Sequence, residues 1–287
     1  MLAKKRTERK EVDLDAMVLT GQNGAYEALQ LYRSRAIRFK SKNDSMGALN
    51  ATAAGAKCLL ENNYENAGAE LADLFLDILT EYKIDLSENV KTLAMEIDDR
   101  FPKASPKRVE YLKGCVKYTV TCGNKESGDA LFQMKLAECY WDKKDKNAAF
   151  HFAAGEAPLL YNTKIQETYP DASQQLLRDQ AVTLGIVNFL ALENLRDANE
   201  LMFAFIKDQK ARNFDISSEL LKFDEYVLQT CKRDAAPLFK TLVNSYASIL
   251  DFDEAIPALL LGPIALRFFN IKPKVNPMMS MIQSMFN

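Results

Sequence analysis

The chain has 287 residues, 48% of them hydrophobic, which is ample apolar material for a large core. Its 37 basic and 39 acidic residues leave a net charge of -2, so there is no global basic field to hold a nucleic acid. Cys58, Cys115, Cys122, Cys139 and Cys231 are odd in number and form no Cys-x-x-Cys pair. They read as reduced, mostly buried thiols of an intracellular protein.

Residues 1–11 form a basic, flexible tail without the apolar run of a secretory signal. Val12 to Thr20 is a short helix carrying Asp13 and Asp15, and Gly21 and Gly24 bracket the turn after it. Gly21-Gln-Asn-Gly24 matches the GxxG of an RNA-binding KH loop, but no strands flank it, so it reads as a helix end and turn. From Tyr26 to Lys40, Ala28, Leu31, Tyr32, Arg35 and Phe39 recur at helical spacing and mark one face, with Arg33, Arg38 and Lys40 largely on the other. A polar link leads to a second helix, Ser45 to Leu60. Gly47, Ala48, Ala51, Ala54, Gly55, Cys58 and Leu59 give it an inner face of unusually small residues. Two such helices pack closely as an antiparallel hairpin.

The hairpin recurs. An apolar residue near a helix end is followed nine residues later by a small one: Leu19 by Ala28, Phe39 by Ala48, Leu59 by Gly68, Tyr140 by Ala149 and Phe189 by Ala198. A helix with its turn therefore takes about twenty residues and a hairpin about forty, the period of helical repeat arrays. Since a lone hairpin leaves a face uncovered, the pattern predicts an all-α fold, an α-solenoid of stacked TPR-like hairpins. An irregular bundle with chance spacing is the alternative.

Further helices are expected over Ala67–Tyr82, Ser87–Arg100 and Arg108–Thr121, then over Gly128–Asp142 and Asn147–Gly155, where Trp141 closes a hairpin core. An amphipathic stretch, Leu159–Asp179, is interrupted by Pro170 and followed by helices over Ala181–Leu192 and Asp197–Asp208. Gln209 to Ser217 is weakly patterned and reads as a long loop, a hinge or a small β excursion. Helices resume over Glu219–Thr230 and Ala235–Leu250, then a Pro-punctuated helix runs to Phe269, and Met278 to Phe286 is methionine-rich. That last segment either caps the final repeat or meets a partner. The longest apolar run, Ala255 to Leu266, is too short to span a membrane, so direct membrane insertion is not expected.

Catalytic and metal-ligating signals are few. His151 is the one histidine, and no Walker A, GxGxxG, GxSxG or HExxH pattern occurs. No catalytic residue, cofactor or metal ligand is assigned. The acidic clusters Asp98-Asp99 and Asp251-Phe-Asp253-Glu254 read as helix-end charges or solvated faces. Arg33, Arg35, Arg38, Lys40 and Lys42 are more basic residues than a helix dipole needs; an acidic protein partner is one reading of them, and favourable charge at a helix end is the other. RNA is the competing partner, but it needs exposed aromatics among the charges, whereas Tyr32 and Phe39 follow the buried stripe.

The segment Tyr26-Glu27-Ala28, Gln30, Arg33, Arg38 and Phe39 resembles the signature of the Golgi-to-ER traffic protein 4 family, a helical scaffold of tail-anchored protein delivery. Gly55-Ala56 with Leu59, Gly68-Ala69-Glu70-Leu71, and Pro106 with Arg108 follow in the family's order. So do Phe150-His151-Phe152, Gln180-Ala-Val182, Asn188-Phe-Leu190, and Phe268-Phe269 with Pro273-Lys274. Glu70 stands where the family usually has Asp, and residues 207–222 match poorly, in a zone where some relatives place a β-hairpin. The resemblance implies a cytosolic (cytoplasmic), non-enzymatic adaptor that binds no nucleic acid. Residues 12–155 would dock a targeting ATPase through Arg33, Arg38, Lys40 and Glu70, with Glu70 tuning nucleotide hydrolysis. Residues 156–287 would dock a ubiquitin-like-domain protein through Leu266, Phe268 and Phe269. A generic scaffold of a degradation or signalling complex and an RNA-binding helical repeat are the other readings.

Overall fold

The computed structural model describes residues 13–122 and 126–272; every regular element there is helical, and no strand occurs among them. The tail over 1–11, Pro273-Lys274 and the segment Met278–Phe286 lie outside the described residues. The chain divides between Phe132 and Gln133 into two compact units.

In the first unit α1 is Leu14–Val18, α2 Gln22–Lys40, α3 Ser45–Glu61, α4 Glu65–Tyr82, α5 Glu88–Asp98 and α6 Pro106–Cys122. Gly21 turns the chain at φ +108°, but Gly24 lies inside α2, so the helix expected from Tyr26 begins a turn earlier. The inner face of α2 is Ala25, Ala28, Leu29, Tyr32 and Ala36. Leu31, expected there, is 38% exposed. Two apolar registers were available on α2. The alanine-rich one faces inward because small side chains let α1 and α3 approach. α3 packs against both α2 and α4 and is buried almost all round, Ala54 being an exception. At its centre a Cβ on Gly55 would lie 2.6 Å from Tyr32 Cγ on α2 and from Leu71 Cδ1 on α4, so the two neighbours close on bare backbone.

In the second unit α7 (Ala130–Asp142, which carries the division) leads to α8 Asn147–Ala154, α9 Pro158–Thr168, a 3-10 turn Ala172–Gln174, and α10 Gln175–Ala191. Then come α11 Leu195–Ala211, α12 Glu219–Lys232 and α13 Ala236–Leu250. The last elements are α14 Ala255–Leu259, a π-helical turn Leu260–Ile264 around Pro263, and α15 Ala265–Phe269. The amphipathic stretch over Leu159–Asp179 is thus two helices. Pro170 disfavours helix at Tyr169, and Arg178 and Asp179 belong to α10. The segment after α11 is an irregular link into α12, not a β excursion. Trp141 meets Phe152 and Tyr161 edge-on at 6.1 and 5.5 Å, and its Nε1 donates to Thr168 Oγ1 at 3.1 Å, closing the α7–α9 core.

The nine-residue spacing has a backbone cause. After α2, α3, α7 and α10, the fourth residue beyond the apolar one is left-handed: Asn43, Asn63, Lys144 and Glu193. The next amide then donates to that apolar residue's carbonyl: Asp44 to Phe39, Tyr64 to Leu59, Asp145 to Tyr140 and Asn194 to Phe189. This is the Schellman closure, and the small residue nine positions on lies in the first turns of the next helix. The same closure recurs at Lys83, Glu156, Asn213 and Asp234, where the following amides reach Leu79, Phe152, Gln209 and Thr230. Leu19 with Ala28 has a different origin, because the link after α1 is turned by Gly21 and Leu19 is 73% exposed.

The hairpin period appears in the side chains too. Bonds between one helix and the next but one join Lys57 to Glu96, 39 residues apart, and Thr183 to Asp224, 41 apart. Gln209 and Gln166, on α11 and α9, are 43 apart. Each unit is therefore a stack of hairpins in solenoid fashion. Two acidic residues depart from the solvated reading. Asp98 is wholly enclosed, taking Nε and Nη2 of Arg108 at 2.7 and 2.8 Å, and Asp253 is buried with Lys146 Nζ at 2.9 Å. Among the five cysteines Cys122 is exposed and the other four are buried, and none forms a disulfide.

Candidate partner-docking surfaces

The outer side of α2 follows from its inner one. With the alanine face turned to α1 and α3, Tyr26 and Ile37 are 64% and 61% exposed and Leu31 joins them, with Arg33 and Arg38 at the same surface. The three-and-four spacing through Leu31 places that residue in the core, and the structure turns it outward instead. The alternative spacing Ala25, Ala28, Leu29, Tyr32, Ala36 was the signal that would have shown this.

The four expected docking residues are in different states. Arg33 Nη1 pairs with Glu70 Oε1, each side chain about half exposed, so two residues given separate roles meet as one ion pair. Glu70 is past the first turn of α4, which begins at Glu65, so it does not cap that helix. Lys40 Nζ bonds Glu81 Oε2 at 2.5 Å, again from α2 to α4. Arg38 is exposed and makes no side-chain hydrogen bond or ion pair among the described residues. An acidic stripe on α4 thus offsets part of the basic charge of α2. Beneath this surface Tyr32 donates to Asp15 of α1 and both its hydroxyl and the Cys58 thiol are buried; burial pushes the thiol up to about 12.

At the C-terminal end the three expected anchors separate. Leu266 is 44% exposed. Phe268 is half-buried against the core of its unit, and Phe269 is interior, stacked on Phe239 of α13 with ring centroids 4.5 Å apart. Phe269 is held inward because Arg267 Nη1 donates to Ala191 O at 2.8 Å, fixing α15 to the end of α10. A groove of about 360 Å³ lies between α12 and α13, with Tyr226, Leu238 and Tyr246 among its walls. A second, of about 330 Å³, opens beside Trp141, Tyr161 and Tyr169.

Little here resembles a reaction centre. His151 Nδ1 is 2.6 Å from Gln133 Oε1 and its ring stacks on Tyr140 at 4.9 Å, which fixes it as a packed residue. Among the described residues no three His, Cys, Asp or Glu side chains converge as a metal site, and no helix is long and apolar enough to cross a membrane.

The family model for Golgi to ER traffic protein 4 matches residues 42–286. Protein GET4 of Arabidopsis thaliana is 26% identical over 91% of this chain and 90% of its own length. The Golgi to ER traffic protein 4 homolog of Dictyostelium discoideum is also 26% identical, over 92% and 84%. The Schizosaccharomyces pombe protein of that name is 24% identical over 88% and 86%. The fold is similar to the crystal structure of C. therm. Get4, with a TM-score of 0.78 at 21% identity over 96% of this chain and 93% of that one. With a family model spanning most of its length, the chain belongs to the Golgi to ER traffic protein 4 family.

Proposed function

We propose that this protein is a non-enzymatic cytosolic adaptor in Golgi-to-ER traffic, bridging a targeting ATPase and a ubiquitin-like-domain protein during delivery of tail-anchored membrane proteins to the ER. Residues 12–155 take the ATPase and residues 156–287 the ubiquitin-like partner. Family membership supports the traffic role. The observation that carries the docking assignment is the outer face of α2, where unpaired Arg38 lies with exposed Tyr26, Leu31 and Ile37. Exposed apolar side chains on both flanks of this face, each with an arginine beside it, suit a protein partner bearing acidic groups. Arg33 and Lys40 become available once a partner's acids compete with Glu70 and Glu81. Glu70 then acts on the ATPase's conformational balance. For the ubiquitin-like partner Leu266 and the outer part of Phe268 are the contacts, with Phe269 supporting them from inside.

The experiment is co-purification of the ATPase with the full chain, followed by association rates at rising salt. Arg38→Glu is expected to slow association about tenfold at low salt, and added salt is expected to shrink the difference. A folded Arg38→Glu variant with wild-type, salt-insensitive association overturns the assignment. RNA retained by the chain in place of the ATPase overturns the adaptor reading itself.

A further inference from the structure

The second unit encloses two carboxyls that have no cation to themselves. Asp179 of α10 is 2% exposed and Asp224 of α12 is fully buried. Thr183, one turn beyond Asp179 on the same face of α10, donates Oγ1 to Asp224 Oδ2 at 2.8 Å, so the two carboxyls face one space between α10 and α12. Asp179 Oδ1 and Asp224 Oδ1 are enclosed with no hydrogen-bond partner, as is Arg178 Nη2. Buried polar atoms left in this way are uncommon and costly when charged.

The guanidinium next in sequence gives its hydrogen bonds elsewhere, and it acts on Asp179 through its charge alone, which helps to hold that carboxyl down. Arg178 Nη1 donates to the carbonyls of Tyr169 and Asp171, Nε donates to Gln209 Oε1 at 3.1 Å, and the group lies over the Phe214 ring at 4.4 Å. It is committed to pinning the α9–α10 loop and the end of α11. Asp215 in the link to α12 raises Asp179, whereas Asp171 before α10 and Arg212 at the end of α11 act on Arg178. Of the neighbouring elements α11 buries one charged residue, Asp197 in its first turn, held by Arg196, and the others bury none. α8 buries Ala148, Ala149, Phe152, Ala153 and Ala154. α9 buries Pro158, Tyr161, Asn162, Ile165 and Gln166, and α13 buries Phe239, Leu242, Val243 and Leu250. Ile256 of α14 and Leu260 and Ile264 of the π turn are apolar as well.

We propose that the α10–α12 joint is a proton-holding clamp: Asp179 and Asp224 are not both charged in the folded unit, and protonation of these buried carboxyls keeps α12 and the link before it closed on α10. Desolvation raises both carboxyls, Asp179 to about 6 and Asp224 well above the usual carboxylate range, with Asp179 adding to the rise at Asp224. Folded protein thus holds these protons more tightly than unfolded chain. Their contribution to stability is full below about pH 4 and is lost as pH rises through about 6 for Asp179, and higher for Asp224. The clamp is firmest in mild acid and slackens toward the alkaline side.

Asn mimics a protonated Asp and leaves an acceptor for Thr183, so Asp224→Asn and Asp179→Asn test the clamp in the full chain. At pH 7.5 each is expected to melt about 2–4 °C above wild type, the gain for Asp179→Asn fading by pH 5. Gains of equal size at both pH values for Asp179→Asn, or losses at pH 7.5 for both variants, overturn the proposal. Should either variant fail to fold, carbon-13 titration of the aspartate carboxyls in the wild-type chain decides. One carboxyl changing near pH 6 and another still protonated at pH 7.5 support it, and all carboxyls ionised by pH 5 overturn it.

Discussion

Asp98 in the first unit and Asp179 in the second are both enclosed and both have an arginine at hand, but the arginines are used differently. Arg108 gives two parallel donors to the Asp98 carboxylate, joining the end of α5 to the start of α6. Arg178 gives its donors to backbone carbonyls and Gln209, so the carboxyl beside it in sequence is left to a proton. One guanidinium neutralises a side chain, and the other fastens a loop. The contrast shows that a buried Arg-Asp neighbourhood is not by itself an ion pair. What counts is which acceptors the planar donor fork reaches first.

The largest expected effect breaks the first arrangement. Arg108→Ala strands a fully buried carboxylate and is expected to cost about 3–5 kcal/mol in denaturant unfolding, and replacing Asp98 as well should recover much of it. A cost below about 1 kcal/mol would mean Asp98 does not depend on Arg108. Next is Arg178→Met, which frees the Tyr169 and Asp171 carbonyls. It should destabilise by about 2–3 kcal/mol, less than Arg108→Ala. It should also raise the Asp179 carboxyl above about 6, because Arg178 is one of the groups that hold it down. Carbon-13 titration of Asp179 in that variant sharpens the comparison, since a pair-type arginine and a loop-type arginine differ in how far the carboxyl moves. The smallest effect belongs to the exposed Arg33–Glu70 pair. Glu70→Gln should alter stability by less than about 1 kcal/mol, vanishing in high salt, while changing the ATPase's hydrolysis rate in a turnover assay. An unchanged rate would leave Glu70 as Arg33's surface partner alone.

The helices were legible because their signals are local. Spacings of three and four, the small-residue face of α3 and the proline at Pro106 each act within one or two turns. What was not legible depends on register between helices. Leu29 and Leu31 both fit an apolar stripe on α2, and the approach of α1 and α3 decides between them. Arg33 and Glu70 looked like separate features because they lie 37 residues apart and meet only when α4 stacks beside α2. Asp98 looked solvent-facing because it ends a helix, where carboxylates are common, and its partner is ten residues on, past a turn whose path cannot be read from spacing. Arg178 and Asp179 end an amphipathic stretch interrupted by Pro170, and the next apolar pattern starts only at Ala181, which conceals that both residues belong to the buried α10.

The left-handed closures between helices bear on how this architecture drifts over evolutionary time. Asn43, Asn63, Lys144 and Glu193 share one backbone shape but little side-chain chemistry, since the amide-to-carbonyl bond that shuts each link belongs to the main chain. A corner built this way tolerates many different residues at modest cost, of the order of 1 kcal/mol where glycine would be ideal. The pitch of the stack is then inherited without the letters that first spelled it. That is consistent with a superposable relative at 21% identity and a TM-score of 0.78. It leaves the outward faces of the hairpins open to adapt to new partners while the corners keep their shape.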